Sequence, residues 1–312
     1  MMVYEALIKG YIEYLGGKNF AQTTVRVYTR EAVLILEYMQ GLRNIRRLQD
    51  IRREDIKSYQ DEIYISRRRR DAKPLSMSSK CMKIIALKSL FKYLVKKGEI
   101  IYNPASDVEV PKSSRDRVRE VLTEREIKKL ILCIDGSSDL GVRDRAMIEL
   151  FYSTGMRNSE LRGLLVNDVD LAEGELRIRE GKGYLGARER IVPVGRVALV
   201  YLEEYLKRAR PRLVKGRAEE HLFVNYKGRK MGMDIPNDTV KRYAKKAGIK
   251  KNIGAHTLRH TCATHFLRGG GDLRYIQELL GHKSLDSTKL YTKVEISDLK
   301  RAHRKYHPRE RV

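Results

Sequence analysis

The stretch LGHKSLDSTKLYTK (280–293) ends an apolar segment at Gly281 and His282, and nine residues after the histidine it presents Tyr291. Two arginines stand elsewhere in equally polar company. In TGMRNSEL (154–161), Arg157 comes just after a glycine and just before a helical run. Glu160 lies three residues further on the same helix face, where a carboxylate can hold a guanidinium. In HTLRH (256–260), His256 and Arg259 are again three apart and share a face. Lys182 sits between Gly181 and Gly183 at the end of a strand-like run. Arginine grips phosphate through two parallel hydrogen bonds. Two such arginines and a histidine therefore carry the groups needed to surround one phosphodiester. Singly, each residue has an ordinary reading that is the stronger one: a surface ion pair, a satisfied structural histidine, a solvated turn lysine.

Several chemistries lack their residues. There is no G-x-x-x-x-G-K-[ST] loop, no G-x-G-x-x-G and no H-E-x-x-H. His256 and His260 are four apart, with His265 beyond them, but no cysteine or acid nearby completes a zinc set. Asp168 and Asp170 form a lone D-x-D, weak grounds for a metal. Neither cofactor nor metal is expected. Cys81, Cys133 and Cys262 are scattered and unpaired in sequence, as buried residues of a reducing compartment are.

The formal charge of +25 on 312 residues calls for a polyanionic partner, nucleic acid or an anionic membrane. No apolar run is long enough to span a bilayer, and the N-terminus lacks the layout of a signal peptide. Nucleic acid inside the cell is the expectation, with a cytoplasmic, nucleoid-associated location.

The elements that must position these residues fall into two groups. Val25, Tyr28, Ala32, Ile35, Leu36 and Met39 form a helical stripe. A second helix from about Ser78 carries Ile84, Leu87, Phe91 and Leu94 on one side and Lys88, Lys92 and Lys96 on another, with Gly98 as a stop. Shorter helices are expected over 3–15 and 53–66. The run SRRRR (66–70) is either a solvated loop or a phosphate contact. Residues 104–120 are rich in proline, serine and charge, and read as a linker. The expected division is 1–107, a linker over 108–119, and 120–312. Thr123 and Glu126 form a capping box that opens the second part. Residues 143–165 look helical. ELRIREGK and RERIVPVG alternate as the arms of a hairpin, and HLFVNYKGRK reads as another short strand. Beyond Asp238 the pattern is helical with glycine breaks. Asp272 caps a helix that Gly281 ends.

The ordered set of Arg157, Lys182, H-x-x-R at 256–259, Gly281-His282 and Tyr291 resembles the tyrosine site-specific recombinases. The wording is close in TGMRNSEL, in GKG…RERIVPVG and in HTLRHTCATHFLRGGGDLRYIQELLGHKSLDSTKLYTKV. TTVRVYTREAVLILEYM and LKSLFKYLVKKGEIIYNPA are similar to the family's core-binding domain, so the resemblance covers nearly the whole chain. Within the family the chain is most similar to compact Xer-type enzymes, of archaeal sort, or to viral and plasmid integrases. The resemblance implies a predominantly α fold with a small antiparallel sheet, in two domains: an N-terminal SAM-like helical bundle and a C-terminal catalytic domain. It implies Tyr291 as nucleophile, Arg157, Arg259 and His256 on the phosphate, Lys182 as general acid, His282 as phosphate ligand or proton aid, and Glu160 in support. It also implies two domains clamped on duplex DNA at a two-armed site, and a tetramer in which the tail SDLKRAHRKYHPRERV docks on a neighbouring protomer. The turn GYLGARER is longer than in the compact relatives. Asn158 and Lys293 replace a usual aliphatic residue and a common histidine.

Two rivals share these residues or this charge. A type IB topoisomerase uses the same catalytic groups without a partner site, and a non-catalytic DNA-binding protein has no need of the set. Chromosome-dimer resolution and movement of a mobile element are not separable by sequence. One physical expectation comes from composition: 34% charged residues against eight Asn and five Gln matches heat-adapted proteins. Thermal unfolding should therefore give a Tm above the mesophilic range of about 45–65 °C, and a Tm inside that range removes the inference.

Overall fold

The computed structural model of the chain describes residues 4–42, 45, 47–67, 72–111, 120–179, 189–281 and 296–310. Backbone proximity divides it into two units, Met1–Arg117 and Val118–Val312. No helix among the described residues is long and apolar enough to cross a membrane.

The first unit holds α1 (Glu5–Gly17), α2 (Gln22–Leu42), α3 (Arg53–Ile65) and α4 (Met77–Lys97). The α2 stripe does what its spacing predicts: Ala32, Ile35, Leu36 and Met39 are essentially inaccessible, beside Leu87, Phe91 and Leu94 of α4. Ser76 caps α4 by accepting from the Ser79 amide, and Gly98 ends it in the left-handed region at φ 79°. Lys88, on the basic side of α4, is tied to the main chain. Its ammonium donates to the carbonyls of Ser106 and Val108, at 3.1 and 2.6 Å, and fastens the segment after α4. Of SRRRR, residues 68–70 lie outside the described residues.

In the second unit the Thr123 capping box is present in both directions and opens α5 (Glu124–Leu132). The helical run expected over 143–165 is two helices, α6 (Asp139–Thr154) and α7 (Asn158–Gly163). Gly155 breaks them apart by taking a left-handed conformation, φ 61°. After α7 comes a three-stranded antiparallel sheet: β1 (Val169–Asp170), β2 (Glu175–Arg179) and β3 (Glu189–Pro193), in that order. The β2–β3 register pairs Leu176 with Val192 and Ile178 with Arg190. Leu176, Ile178 and Val192 are buried and fix which face is inward. The strand expected in HLFVNYKGRK does not form. Asn225 accepts from the amides of Lys227 and Arg229, and Gly228 takes φ 70°, so the chain turns before a ladder can extend.

The chain continues through α8 (Arg196–Glu204), a π-helical turn, and α9 (Arg210–Val214) to α10 (Ile235–Lys246), α11 (Ala255–Arg268), α12 (Leu273–Leu280) and α13 (Ile296–Tyr306). Asp272 caps α12 by accepting from the Arg274 amide, as expected, and Gly281 ends it at φ 64°. Asp168 of the D-x-D pair accepts from the Leu165 amide and so serves a turn.

The tail is seated on its own unit. His303 and His307 are stacked, with ring centroids 4.6 Å apart. Their Nε2 atoms donate to the carbonyls of Ser153 and Tyr152, at 2.9 and 3.1 Å. Glu310 accepts from the Arg196 amide at the start of α8 and from its guanidinium, and Arg309 is paired with buried Glu149. Tyr152 also bonds His265, another buried histidine.

Burial lowers the pKa of all three histidines below the ordinary 6.5. For His307 the neighbouring His303 adds to this, with lesser pushes from His265 and Arg309. The carboxylates facing the cluster, Glu310 at His303 and Glu124 at His265, act the other way. A depressed folded pKa means that the neutral form is what the fold stabilises. That stability is complete above about 6.5 and is lost as pH falls through it. Hydrogen exchange should show α13 amides protected near pH 8 and losing protection as pH falls below about 6.5. Equal protection at both ends would mean that the rings do not hold the tail.

Candidate active site

Arg157 owes its position to the break at Gly155. It is the N-cap residue of α7, and its amide donates to Glu160 Oε2 at 2.7 Å, the local bond that a carboxylate three residues into a helix makes. Its Nη1 donates to Glu160 Oε1, also at 2.7 Å, and its Nη2 to the Gly281 carbonyl at 2.8 Å. The sequence expectation that Glu160 holds Arg157 is met by main chain and side chain together.

Arg259, in the second turn of α11, is 6% exposed. Its Nη1 donates to the Gly155 carbonyl at 2.7 Å and its Nη2 to the Leu280 carbonyl at 2.8 Å. The two arginines thus meet at consecutive carbonyls of the α12 terminus, where the helix dipole is negative and the last carbonyls lack helical partners. Gly155 is pressed among the same parts. A Cβ there would lie 2.5 Å from Leu280 Cδ2 and 3.4 Å from Cys262 Sγ. His256, in the first turn of α11, is exposed. Lys182, His282 and Tyr291 lie outside the described residues.

One residue of the centre escaped the sequence reading. Arg190, on β3, donates Nη1 to Glu160 Oε1 at 3.0 Å and Nη2 to Glu160 Oε2 at 2.9 Å, while its Nε reaches the Leu279 carbonyl at 3.4 Å. The signal was in the alternation: residue 190 shares its strand face with buried Val192, so the inward phase of β3 carries an arginine. A charge on an inward strand position needs a partner, and Glu160 is that partner.

Three guanidiniums therefore gather on one carboxylate and four backbone carbonyls. Burial raises the Glu160 pKa, but bonds from Arg190 and Arg157 outweigh it and leave the carboxyl below its usual range. Burial, with Arg157 and then Arg190 as like charges, pushes the Arg259 guanidinium down to about 10, against a partial rescue by Glu160. It remains cationic at neutral pH. A partly buried group of excess positive charge is a site that gains from binding an anion.

The Phage integrase family model matches residues 120–297, and that of the Phage integrase N-terminal SAM-like domain matches 8–98. A tyrosine recombinase XerD of Listeria innocua is 35% identical over 97% of this chain and 99% of its own length. A tyrosine recombinase XerC 2 of Ralstonia nicotianae is 40% identical over 85% of this chain and 75% of its own. Among solved structures, XerH bound to a palindromic difH substrate has a TM-score of 0.66, with 24% identity over 95% of this chain and 81% of that one. A lambda integrase (75–356) dimer bound to a COC′ core site has a TM-score of 0.65, with 21% identity over 95% and 100%. Both share the fold. The chain belongs to the phage integrase family and is a tyrosine recombinase of the Xer type. It is an enzyme that cleaves and rejoins DNA in site-specific recombination by way of a tyrosine.

Removing the shared carboxylate should be costly. Glu160→Ala leaves Arg190, whose side chain is 11% exposed, without its counter-charge. The expected loss in denaturant unfolding is on the order of 3–5 kcal/mol. A loss under about 1 kcal/mol, as surface pairs give, would show that Glu160 is not the centre's anchor.

Proposed function

We propose that Arg157, Lys182, His256, Arg259, His282 and Tyr291 carry out strand transfer in this chain, with Glu160 holding Arg157. Tyr291 Oη attacks the scissile phosphorus, the bond from phosphorus to the 5′ oxygen breaks, and the DNA is left joined to the protein as a 3′-phosphotyrosine. Lys182 gives the proton that the departing 5′-oxygen takes up. Arg157 and Arg259 stabilise the more negative five-coordinate state, with His256 adding a bond to a non-bridging oxygen, so no metal ion or nucleotide is needed. Their charge also favours the ionised form of Tyr291, whose hydroxyl has an ordinary pKa near ~10. His282 bonds the same phosphate or assists proton transfer. The phosphotyrosine keeps the bond energy for religation to a new 5′-hydroxyl.

The observation that carries this reading is the convergence of Arg157 and Arg259 on the Leu280 and Gly281 carbonyls. It brings two phosphate-gripping groups to the residue that precedes His282. The assignment of Lys182, His282 and Tyr291 rests on their spacing and on the family.

In the same proposal residues 1–107 form the core-binding part, 108–119 the linker and 120–312 the catalytic part. Both parts engage a duplex with a two-armed site, and four protomers pair two sites. The seat of the tail, made by Glu149, Tyr152, Ser153 and Arg196, fits the same tail from a second copy, since the groups it satisfies are identical. DNA complexes of XerH and of lambda integrase, including a lambda integrase tetramer on a Holliday junction, support the partner.

The test is a nicked duplex carrying the site recovered by selecting protein-bound random DNA. Wild-type protein should become covalently attached in EDTA, and Tyr291→Phe should not attach at all. Arg259→Ala should slow attachment by on the order of 10²–10³-fold. No attachment by the wild type, attachment by Tyr291→Phe, or abolition by EDTA would each overturn the assignment.

A further inference from the structure

We propose that Arg190 is a positioning residue for strand cleavage, which ties β3, Glu160 and the Leu279–Gly281 turn into one rigid part so that Arg157 keeps its place. The inference rests on the active-site reading above and adds a residue to it.

The four hydrogen bonds to Glu160 come in two pairs. Arg157 supplies one to each oxygen, from its amide and from Nη1, and Arg190 supplies one to each oxygen through its fork. Together they fill the carboxylate. Without Arg190, each oxygen of Glu160 has a lone pair with no donor, in a site that is 7% exposed. The nearest group able to satisfy both is the Arg157 guanidinium. Turning to make a second bond to the carboxylate takes Nη2 off the Gly281 carbonyl. Arg190 is therefore what allows Arg157 to divide itself between Glu160 and the α12 terminus.

The same guanidinium is the floor under Gly281. A Cβ at that residue would fall 2.9 Å from Arg190 Nη1, 3.0 Å from Cζ and 3.1 Å from Nε. Gly281 is thus needed for its positive φ and also because Arg190 lies against it. His282 follows directly. At its other end Arg190 belongs to β3, which pairs with β2. One largely buried side chain thus joins β3, the start of α7 and the end of α12. With 11% of its side chain exposed and its fork spent on Glu160, Arg190 serves the reaction through other groups.

The experiment measures single-turnover covalent attachment to the nicked duplex across DNA concentrations, at a temperature where circular dichroism shows each full-length variant folded. Arg190→Gln should lower the rate at saturating DNA by about 10²-fold, the loss that a misplacement near 1 Å produces. The half-saturating DNA concentration should stay within about threefold, because a buried group that touches no phosphate contributes little to binding. Arg190→Lys keeps the cation and most of the volume but has no fork, and should still lose at least about tenfold in rate. In a Glu160→Gln background, adding Arg190→Gln should lower the rate by less than about threefold more, since the two act as a unit. Attachment within about threefold of wild type for both Arg190 variants would overturn the inference alone. So would a loss confined to DNA affinity, or rate losses that multiply in the double variant. Failure of the wild type to attach would instead overturn the active-site reading and this inference with it.

Discussion

The catalytic unit depends on one carboxylate. Glu160 accepts four hydrogen bonds, two each from Arg157 and Arg190, and its charge is what permits three guanidiniums to gather in one partly buried place. The usual trade for a buried ion pair is desolvation against attraction, and such pairs are seldom the cheapest way to build a core. Here the balance is left deliberately incomplete. One negative charge against three positive ones leaves an excess of positive charge, and the α12 carbonyls hold the arginines at their stations.

What could be read from sequence was what is local. Arg157 with Glu160, the Thr123 capping box, the Asp272 cap and the Gly281 stop all act within a few residues, so their types and spacing suffice. The α2 and α4 stripes were legible because burial repeats with the helical period. The hairpin was legible for the corresponding reason in strands. The break at Gly155 was not foreseen: it is the same left-handed helix end that Gly98 and Gly281 make, but it falls inside a run whose composition stays helical on both sides. Arg190 was missed because its partner is thirty residues away, and alternation tells which way a side chain points but not what it meets. The strand expected near residue 222 failed for the opposite reason. A local side-chain turn at Asn225 overrode a composition suited to a sheet.

Apart from Glu160, the acceptors of Arg157 and Arg259 belong to the main chain: the carbonyls of Gly155, Leu280 and Gly281. No point substitution deletes a carbonyl. Glu160 aside, the arrangement is for that reason insulated from side-chain drift on the acceptor side, and its remaining fragility lies in the path of the backbone. That path is set at Gly155 and Gly281, where a positive φ coincides with contacts that leave no space for a methyl group. In a map of tolerated substitutions these two glycines, which have no functional group at all, belong beside Arg157 and Arg259 among the positions that admit least.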